Sequence, residues 1–267
     1  MQINITVITW FRRHTPAVHF LVIALAVLLY LLWPPGAILL IVLYVVALGV
    51  ASMNMATNLY VDTFRHVRAN GDAGGVQGRV ADIALTFDDS PTEGTAQVLA
   101  ILKAHDVKAT FFIVGAHAAA RPALLRQIVQ EGHAIGNHSY SHKSTLPFRR
   151  PAAILADIQR CTETITDITG VVPQMYRPPF GVVNPGIGQA VRTSRLPCVG
   201  WSLRSFDTVT PQPARLLSRI TRQLAPGAIV LLHDYPAVTP QILPELLQEI
   251  KRKNFNCVLL SPETLLP

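Results

Sequence analysis

Two adjacent carboxylates, Asp88 and Asp89, follow the apolar run Val80–Phe87 and precede Ser90-Pro91. Aspartate or serine ahead of a helix is an ordinary N-cap, which would account for the pair without any chemistry. The chemical alternative is a metal ligand beside a general base, where a nearby cation keeps the base ionised. Further along, His138 and His142 stand four residues apart. At that spacing they share one face of a helical turn and suit a transition metal, although two ligands alone do not make a zinc site. Arg177-Pro178-Pro179-Phe180-Gly181 reads as a rigid turn that fixes an arginine and the backbone amides beyond it. Trp201 and Asp207 come next, then Leu231-Leu232-His233, a histidine where an apolar run stops. His14, His19, His66, His105, His117 and His133 lack such neighbours and read as ordinary histidines. Cys161, Cys198 and Cys257 have no pairing spacing and no neighbouring base, so they read as structural thiols.

The elements that must position these groups alternate in type. Strand-like runs occupy Val80–Phe87, Ala109–Val114, Ala134–Asn137, Gln174–Arg177, Cys198–Leu203, Ala228–Leu232 and Cys257–Leu260. Amphipathic helical runs occupy Thr95–His105, Pro122–Glu131, Ala152–Thr169, Gly186–Thr193, Pro213–Leu224 and Pro240–Lys253. Alternating strand and helix implies parallel strands joined by right-handed crossovers. The fold class is therefore α/β, a distorted or incomplete barrel of about seven strands, with an open doubly wound sheet as the other arrangement. Asp88 with Asp89, His138, Arg177 and His233 fall at or just beyond the C-terminal ends of four different strands. In β/α folds catalytic groups converge on that edge, so the joint reading is an active site.

Composition sets the wider frame. Half of the 267 residues are apolar and 15% are charged, which excludes a disordered chain. The formal net charge is +7, but no block of basic residues interleaved with aromatics appears, so the basic excess reads as a surface tilted towards anionic lipid or substrate and no nucleic-acid partner is expected. Between Arg13 and Asp62 lie 48 residues without a charge. Ala17–Trp33 and Ala37–Met53 each suffice to cross a bilayer with a flanking residue or two, and Pro34-Pro35-Gly36 reads as the turn between them. A cleavable signal peptide fits poorly, because no small-residue cleavage pattern follows. The expected organisation is a two-span anchor over residues 1–53, a polar linker over 54–77 ending in Asn70–Gly75, and a catalytic domain over 78–267. Arg12, Arg13, Arg65 and Arg68 flank the spans and favour a multi-pass protein with its domain on the cytoplasmic side. A single true span would send the domain to the other side.

At these motifs the chain resembles the NodB-like polysaccharide deacetylases, carbohydrate esterase family four, over about residues 80–262. The family's T-F-D-D-G corresponds to Thr86–Ser90, its H-[ST]-x-x-H to His138–His142, its R-x-P-x-G to Arg177–Gly181 and its L-x-H to Leu231–His233. The resemblance implies a distorted barrel and a metal-dependent hydrolase that removes acetyl groups from N-acetylated sugars. It implies Asp89, His138 and His142 as ligands of a divalent metal, usually zinc. It further implies Asp88 as catalytic base, His233 as acid, Arg177 as the residue orienting the base and Asp207 as the one tuning the acid. The Phe180 backbone N–H would stabilise the oxyanion, and Trp201 and Leu231 would wall the acetyl group. Two departures stand out: Ser90 replaces a glycine, and Asp207 is followed by Thr208 where the family has tryptophan. A deformylase or other amide hydrolase acting on a lipid-linked amino sugar stays open beside this reading. So does a catalytically silent carbohydrate-binding membrane protein.

Overall fold

The computed structural model describes residues 5–68 and 80–266, with side chains described from residue 17 onward. Two N-terminal helices, α1 (Ile5–Leu32) and α2 (Pro34–Ser52), meet at Trp33, whose φ of −156° interrupts them. The break therefore falls one residue earlier than expected. Pro34-Pro35-Gly36 is not the turn but the first turn of α2, where proline's missing N–H costs nothing. Gly36 lies under the Trp33 ring, and a Cβ there would sit 2.2 Å from the indole. His19 of α1 meets Tyr44 of α2 edge to face, 5.8 Å between ring centres, so the helices fold back on one another. Among the described residues, α2 alone is long and apolar enough to cross a membrane. The apolar part of α1, Ala17–Leu32, is shorter, so the expected pair of spans is reduced to one candidate. Arg12 and Arg13 lie where no side chain is described.

The segment expected to be a linker is instead partly folded onto the domain. It carries the short strands β1 (Thr63–Phe64) and β2 (His66–Val67), and Met55, Val61, Thr63 and Val67 are buried. The remainder of that segment, including Asn70–Gly75, lies outside the described residues. The chain continues through β3 (Ala81–Ser90), α3 (Thr95–Ala104), β4 (Thr110–Ile113), α4 (Gly115–Ala120), α5 (Pro122–Gln130) and β5 (Ala134–Asn137). It proceeds with α6 (Pro151–Thr169), α7 (Pro185–Ser194), β6 (Cys198–Val199), β7 (Leu203–Arg204), α8 (Pro213–Gln223) and β8 (Ile229–His233). It ends with α9 (Val238–Arg252), β9 (Phe255–Cys257) and β10 (Leu265–Leu266).

The main sheet is parallel, in the order β5-β4-β3-β8-β7, with β9 also pairing with β3. The barrel does not close by ladder pairing. Gln174–Arg177, expected as a strand, contributes only Tyr176, which makes single bridges to Asn137 and Cys198. The expected strand Cys198–Leu203 is split into β6 and β7 around Gly200–Ser202, and the last strand is shifted to Phe255–Cys257. Helix α4 was not legible, since Gly115–Ala120 carries almost no apolar periodicity. Strand β3 is central and packed on both faces. Phe87 stacks on Phe111 of β4 with 5.1 Å between centres, and Leu85 and Leu232 are fully buried beside them. Burial on both faces makes such strands continuous apolar runs. It also drags the polar residues at the end of β3, Thr86 and Asp88, into the interior.

Candidate active site

The groups that sequence spacing singled out are brought to one cavity of about 150 Å³. Asp88, Asp89, His138, His142, Phe180, Trp201, Leu231 and His233 line it, together with Gly181, Arg204, Thr208 and Tyr235. Arg177 and Asp207 stand directly behind, each holding a group that lines the cavity. In the parallel pairing of β3 with β8, Asp88 is opposite His233, so two neighbouring strand ends present a carboxylate and an imidazole side by side.

Arg177 is completely buried. Its guanidinium donates to Asp88 Oδ1 at 2.6 Å, to Thr86 Oγ1 at 2.8 Å and to the carbonyls of Gly200 and Val199 at 2.8 and 3.3 Å. The Phe112 ring lies 3.9 Å beneath it. A planar fork with several fixed donors suits such a site, because each donor finds an acceptor and the charge is balanced by a carboxylate. Asp88 is thereby held by one oxygen, and the other faces the imidazoles, with Oδ2 3.7 Å from His138 Nε2.

His138 Nδ1 lies 2.7 Å from the Arg177 carbonyl. A carbonyl only accepts, so Nδ1 carries the proton and Nε2 presents its lone pair. Burial pushes this imidazole down to about 4, so it is neutral at pH 7. His138 Nε2 is 3.5 Å from Asp89 Oδ1, and His142 Nε2 is 3.0 Å from the same oxygen. Burial acts to raise the Asp89 carboxyl, but the proximity of His142, then of His138 and His233, outweighs it and holds the group below the usual carboxylate range.

The three ligand atoms lie within 4.8 Å of one another, and Asp89 Oδ1 is buried without a hydrogen-bond partner. An orphaned carboxylate oxygen facing a neutral imidazole's lone pair is costly unless something positive sits between them. Tetrahedral zinc with bonds of about 2.0–2.1 Å sets its donors roughly 3.3–3.4 Å apart. The spacings found here bracket that value, and one carboxylate with two imidazoles is a donor set that zinc accepts. The residues present fit a divalent cation.

The histidine pair does not share a helical turn, as its spacing suggested. Residues 138–142 form an irregular loop in which Ser139 (φ 68°) and His142 (φ 47°) are left-handed. The loop is held from outside: Asp157 on α6 accepts from the N–H groups of Tyr140 and Ser141, and Ser139 Oγ accepts from the His142 N–H. Asp89 (φ 67°) and Phe180 (φ 60°) are left-handed as well. Left-handed conformations cost non-glycine residues of order 1–3 kcal/mol each, and they persist where surrounding structure over-determines them.

His233 Nδ1 pairs with Asp207 Oδ1 at 2.9 Å, while Asp207 Oδ2 accepts from the His233 backbone N–H at 2.7 Å and from Thr239 Oγ1 at 3.0 Å. Burial works to lower this imidazole, but the bond to Asp207 and the charges of Asp207, Asp88 and Asp89 prevail and raise it. With Nδ1 engaged by Asp207, Nε2 is the ring nitrogen left to take up or give a proton. Thr208 lines the cavity where the family pattern has tryptophan. The Trp201 ring packs against Gly181, where a Cβ would lie 2.5 Å from the indole.

Ser90, the other departure, is not left-handed; the positive φ belongs to Asp89. Its hydroxyl donates to buried Asp234 at 2.7 Å, alongside Thr92 at 2.7 Å and Thr95 at 2.5 Å. This network clamps the loop after β3 to the end of β8, and neither its acid nor its threonines were singled out in the sequence. Asp157, Thr86 and Thr239 were missed for the same reason: each acts through a backbone or side chain distant in the chain. His117, read as ordinary, places Nδ1 2.7 Å from the Asp89 carbonyl. The three thiols are pushed up to about 12 by burial, as expected of inert cysteines.

A buried carboxylate paired with arginine, an imidazole paired with carboxylate and three donors that fit a cation meet at the C-terminal edge of the parallel sheet of an α/β fold, the groups a hydrolase would use. Comparison with known proteins narrows the class. Residues 76–199 match the family model described as polysaccharide deacetylase. The chain is 33% identical to the chitooligosaccharide deacetylase of a Bradyrhizobium strain over 66% of its own length and 80% of the other. It is also 33% identical to the peptidoglycan-N-acetylglucosamine deacetylase PgdA of Listeria monocytogenes, again over 66% of its length, but it spans only 37% of that protein. The solved family 4 carbohydrate esterase of Streptomyces lividans, in complex with acetate, superposes with a TM-score of 0.65 and 30% identity, covering 69% of this chain and 95% of that one. The chain belongs to the polysaccharide deacetylase family.

Proposed function

We propose that this protein is a membrane-anchored, metal-dependent hydrolase that removes acetyl groups from N-acetylated sugars of a glycan or glycan precursor. The observation that carries the reading is the meeting of a held base, a held acid and a three-donor cation site around one small cavity. The names of the Bradyrhizobium, Listeria and Streptomyces relatives agree with it.

Asp89, His138 and His142 would hold the divalent cation, zinc by preference. When bound there, such an ion supplies a Lewis acid toward the acyl oxygen and lowers the pKa of water. The free oxygen of Asp88 takes the proton of the attacking water as its hydroxide adds to the acyl carbon, while Arg177 keeps the carboxylate in place. The Phe180 backbone N–H faces the negative charge that develops on the acyl oxygen. His233, kept protonated by Asp207, then gives its proton to the nitrogen as the C–N bond breaks, leaving acetate and a free amine. Trp201 and Leu231 flank the methyl group and keep water from it.

Residues 1–53 would serve as the anchor: α2 is the candidate span, the exposed apolar faces of α1 and α2 are what a second span would need, and Arg12, Arg13, Arg65 and Arg68 favour a cytoplasmic domain. That side would present a lipid-linked precursor as substrate, and a formyl or other amide on such an amino sugar is the second reading.

The test is acyl release by the full chain in neutral detergent after chelation, with and without added zinc or cobalt. Asp88→Asn is expected to keep the metal while losing release about 10²–10⁴-fold. Formate in place of acetate selects the second reading. Undiminished release by Asp88→Asn sinks the role of the base, and a folded protein that neither binds metal nor releases acid is a silent binding protein.

A further inference from the structure

Two hollows larger than the one that gathers the carboxylates and imidazoles are lined by arginines. A cavity of about 670 Å³ is lined by Phe206, Arg215, Arg219 and Arg222. A second, of about 380 Å³, shares Phe206 and Arg219 and adds Arg65 and Arg204. No acidic residue lines either one. Among the described residues, none of these five arginines forms an ion pair; the arginines that do are Arg121, Arg177 and Arg252. Five uncompensated cations around one trough repel each other at a cost that an anion would remove. Arg219 sharpens the point: its guanidinium stacks 4.4 Å over Phe206, and its Nε is buried without any hydrogen-bond partner. Arg204 stacks over the same ring at 4.8 Å. Both planar forks are thus set in place by an aromatic ring, as suits bidentate recognition of phosphate.

The walls of the second cavity say what the anion belongs to. Trp201 and Arg204 line both it and the catalytic cavity. Met53–Ala56, immediately beyond the C-terminus of α2, the helix able to cross a membrane, line it too. A molecule with its sugar in the catalytic cavity and its tail against the bilayer would lay its linking group over Arg65, Arg204 and Arg219, with Arg215 and Arg222 of the adjoining cavity adding to the field that holds it.

We propose that this trough is a phosphate subsite, which takes the phosphate or diphosphate joining a sugar substrate to a lipid carrier. The proposal rests on the sugar-hydrolase reading and specifies its substrate class. The experiment uses the full chain in neutral detergent and the double variant Arg215→Gln/Arg222→Gln, two exposed positions outside the catalytic machinery. Inorganic diphosphate, titrated calorimetrically, is expected to bind with an affinity that falls as salt is raised and that drops about a hundredfold in the variant, because charge-assisted bonds to phosphate are strong. Acyl release is then compared between N-acetylglucosamine diphosphate carrying a short alkyl chain and an alkyl N-acetylglucosaminide without phosphate. The variant should raise KM for the first substrate alone and leave kcat unchanged for both. Diphosphate binding that is absent, or equal in the two proteins, overturns the proposal. Arginine-dependent binding to phosphatidylglycerol vesicles over phosphatidylcholine vesicles, with no KM difference between the substrates, assigns the trough to bilayer headgroups and also overturns it. Loss of release from both substrates with diphosphate binding intact would instead strike the hydrolase reading.

Discussion

Asp207 is the most informative residue to perturb, because it acts on the proposed chemistry only through His233. In Asp207→Asn the shape is kept but the acceptors are not. The carboxylate accepts four hydrogen bonds, from His233 Nδ1, from the backbone N–H groups of His233 and Thr208 and from Thr239 Oγ1. An asparagine offers one carbonyl and one amide, so whichever way it turns, an NH₂ faces one of the two donors of His233. A hydrogen bond to a charged group is worth about 1.5–3 kcal/mol, and that is the support the imidazolium loses. Every 1.4 kcal/mol is about tenfold, so kcat/KM at neutral pH should fall about ten- to a hundredfold. The sign of the pH effect is set by the opposing influences. In the wild type Asp207 raises His233 against burial, so the protonated acid survives into higher pH, and the rate declines as pH passes its raised value. Without the carboxylate the raising bond and charge of Asp207 are gone, burial is opposed only by Asp88 and Asp89, and the declining limb moves to lower pH. The assay is the pH profile of kcat/KM for acetate release, with Asp207→Glu as a charge-retaining companion. An unmoved limb, or one moved to higher pH, refutes the assignment of His233 as the acid and Asp207 as its support.

Three further outcomes follow from the same geometry. His138→Ala should lose bound metal and activity together, measured by elemental analysis of the purified chain, since one of three donors is gone. Arg177→Met should destabilise the fold by about 3–5 kcal/mol in denaturant unfolding, because it strands the buried Asp88 charge. Combining it with Asp88→Asn should recover part of that loss, and a purely additive pair would mean the two are not coupled in this way. Ser90→Ala removes one of three hydroxyls from Asp234, whose carboxyl burial already pushes upward, and should cost about 1–3 kcal/mol in thermal unfolding.

Much of the site was legible because its chemistry needs particular residue types at strand ends. Asp88, Asp89, His138 and His233 each close an apolar run or stand just beyond one, and such a run reads as a buried element that delivers its last residue to an edge; Arg177 follows only the single bridges of Tyr176. Asp207 was harder, since neither a strand nor the family's following tryptophan marks it. What the structure adds is two bonds across 26 residues to His233, on which its proposed role rests. Residues 54–67 misread for a related reason: strands of two residues have no periodicity, and β1 and β2 exist only because Cys198–Val199 and Leu265–Leu266 lie ready to pair with them. A version of the chain beginning after residue 74 would therefore lose packed residues such as Met55, Thr63 and Val67.

By itself the sequence determined the alternation of strand and helix, the apolar N-terminal helices, the family and the types of group that meet at the sheet edge. These are local properties, written in hydrophobic period and motif. Tertiary structure alone decided the rest. The barrel stays unclosed because Tyr176 contributes single bridges instead of a strand. The histidine loop is left-handed because Asp157, reached through α6, holds its amides. The five arginines, from positions 65 to 222, form one trough only because the fold brings three separate stretches of chain together without an acid lining it. Charge compensation is a property of neighbours in space, and no spacing along the chain records it.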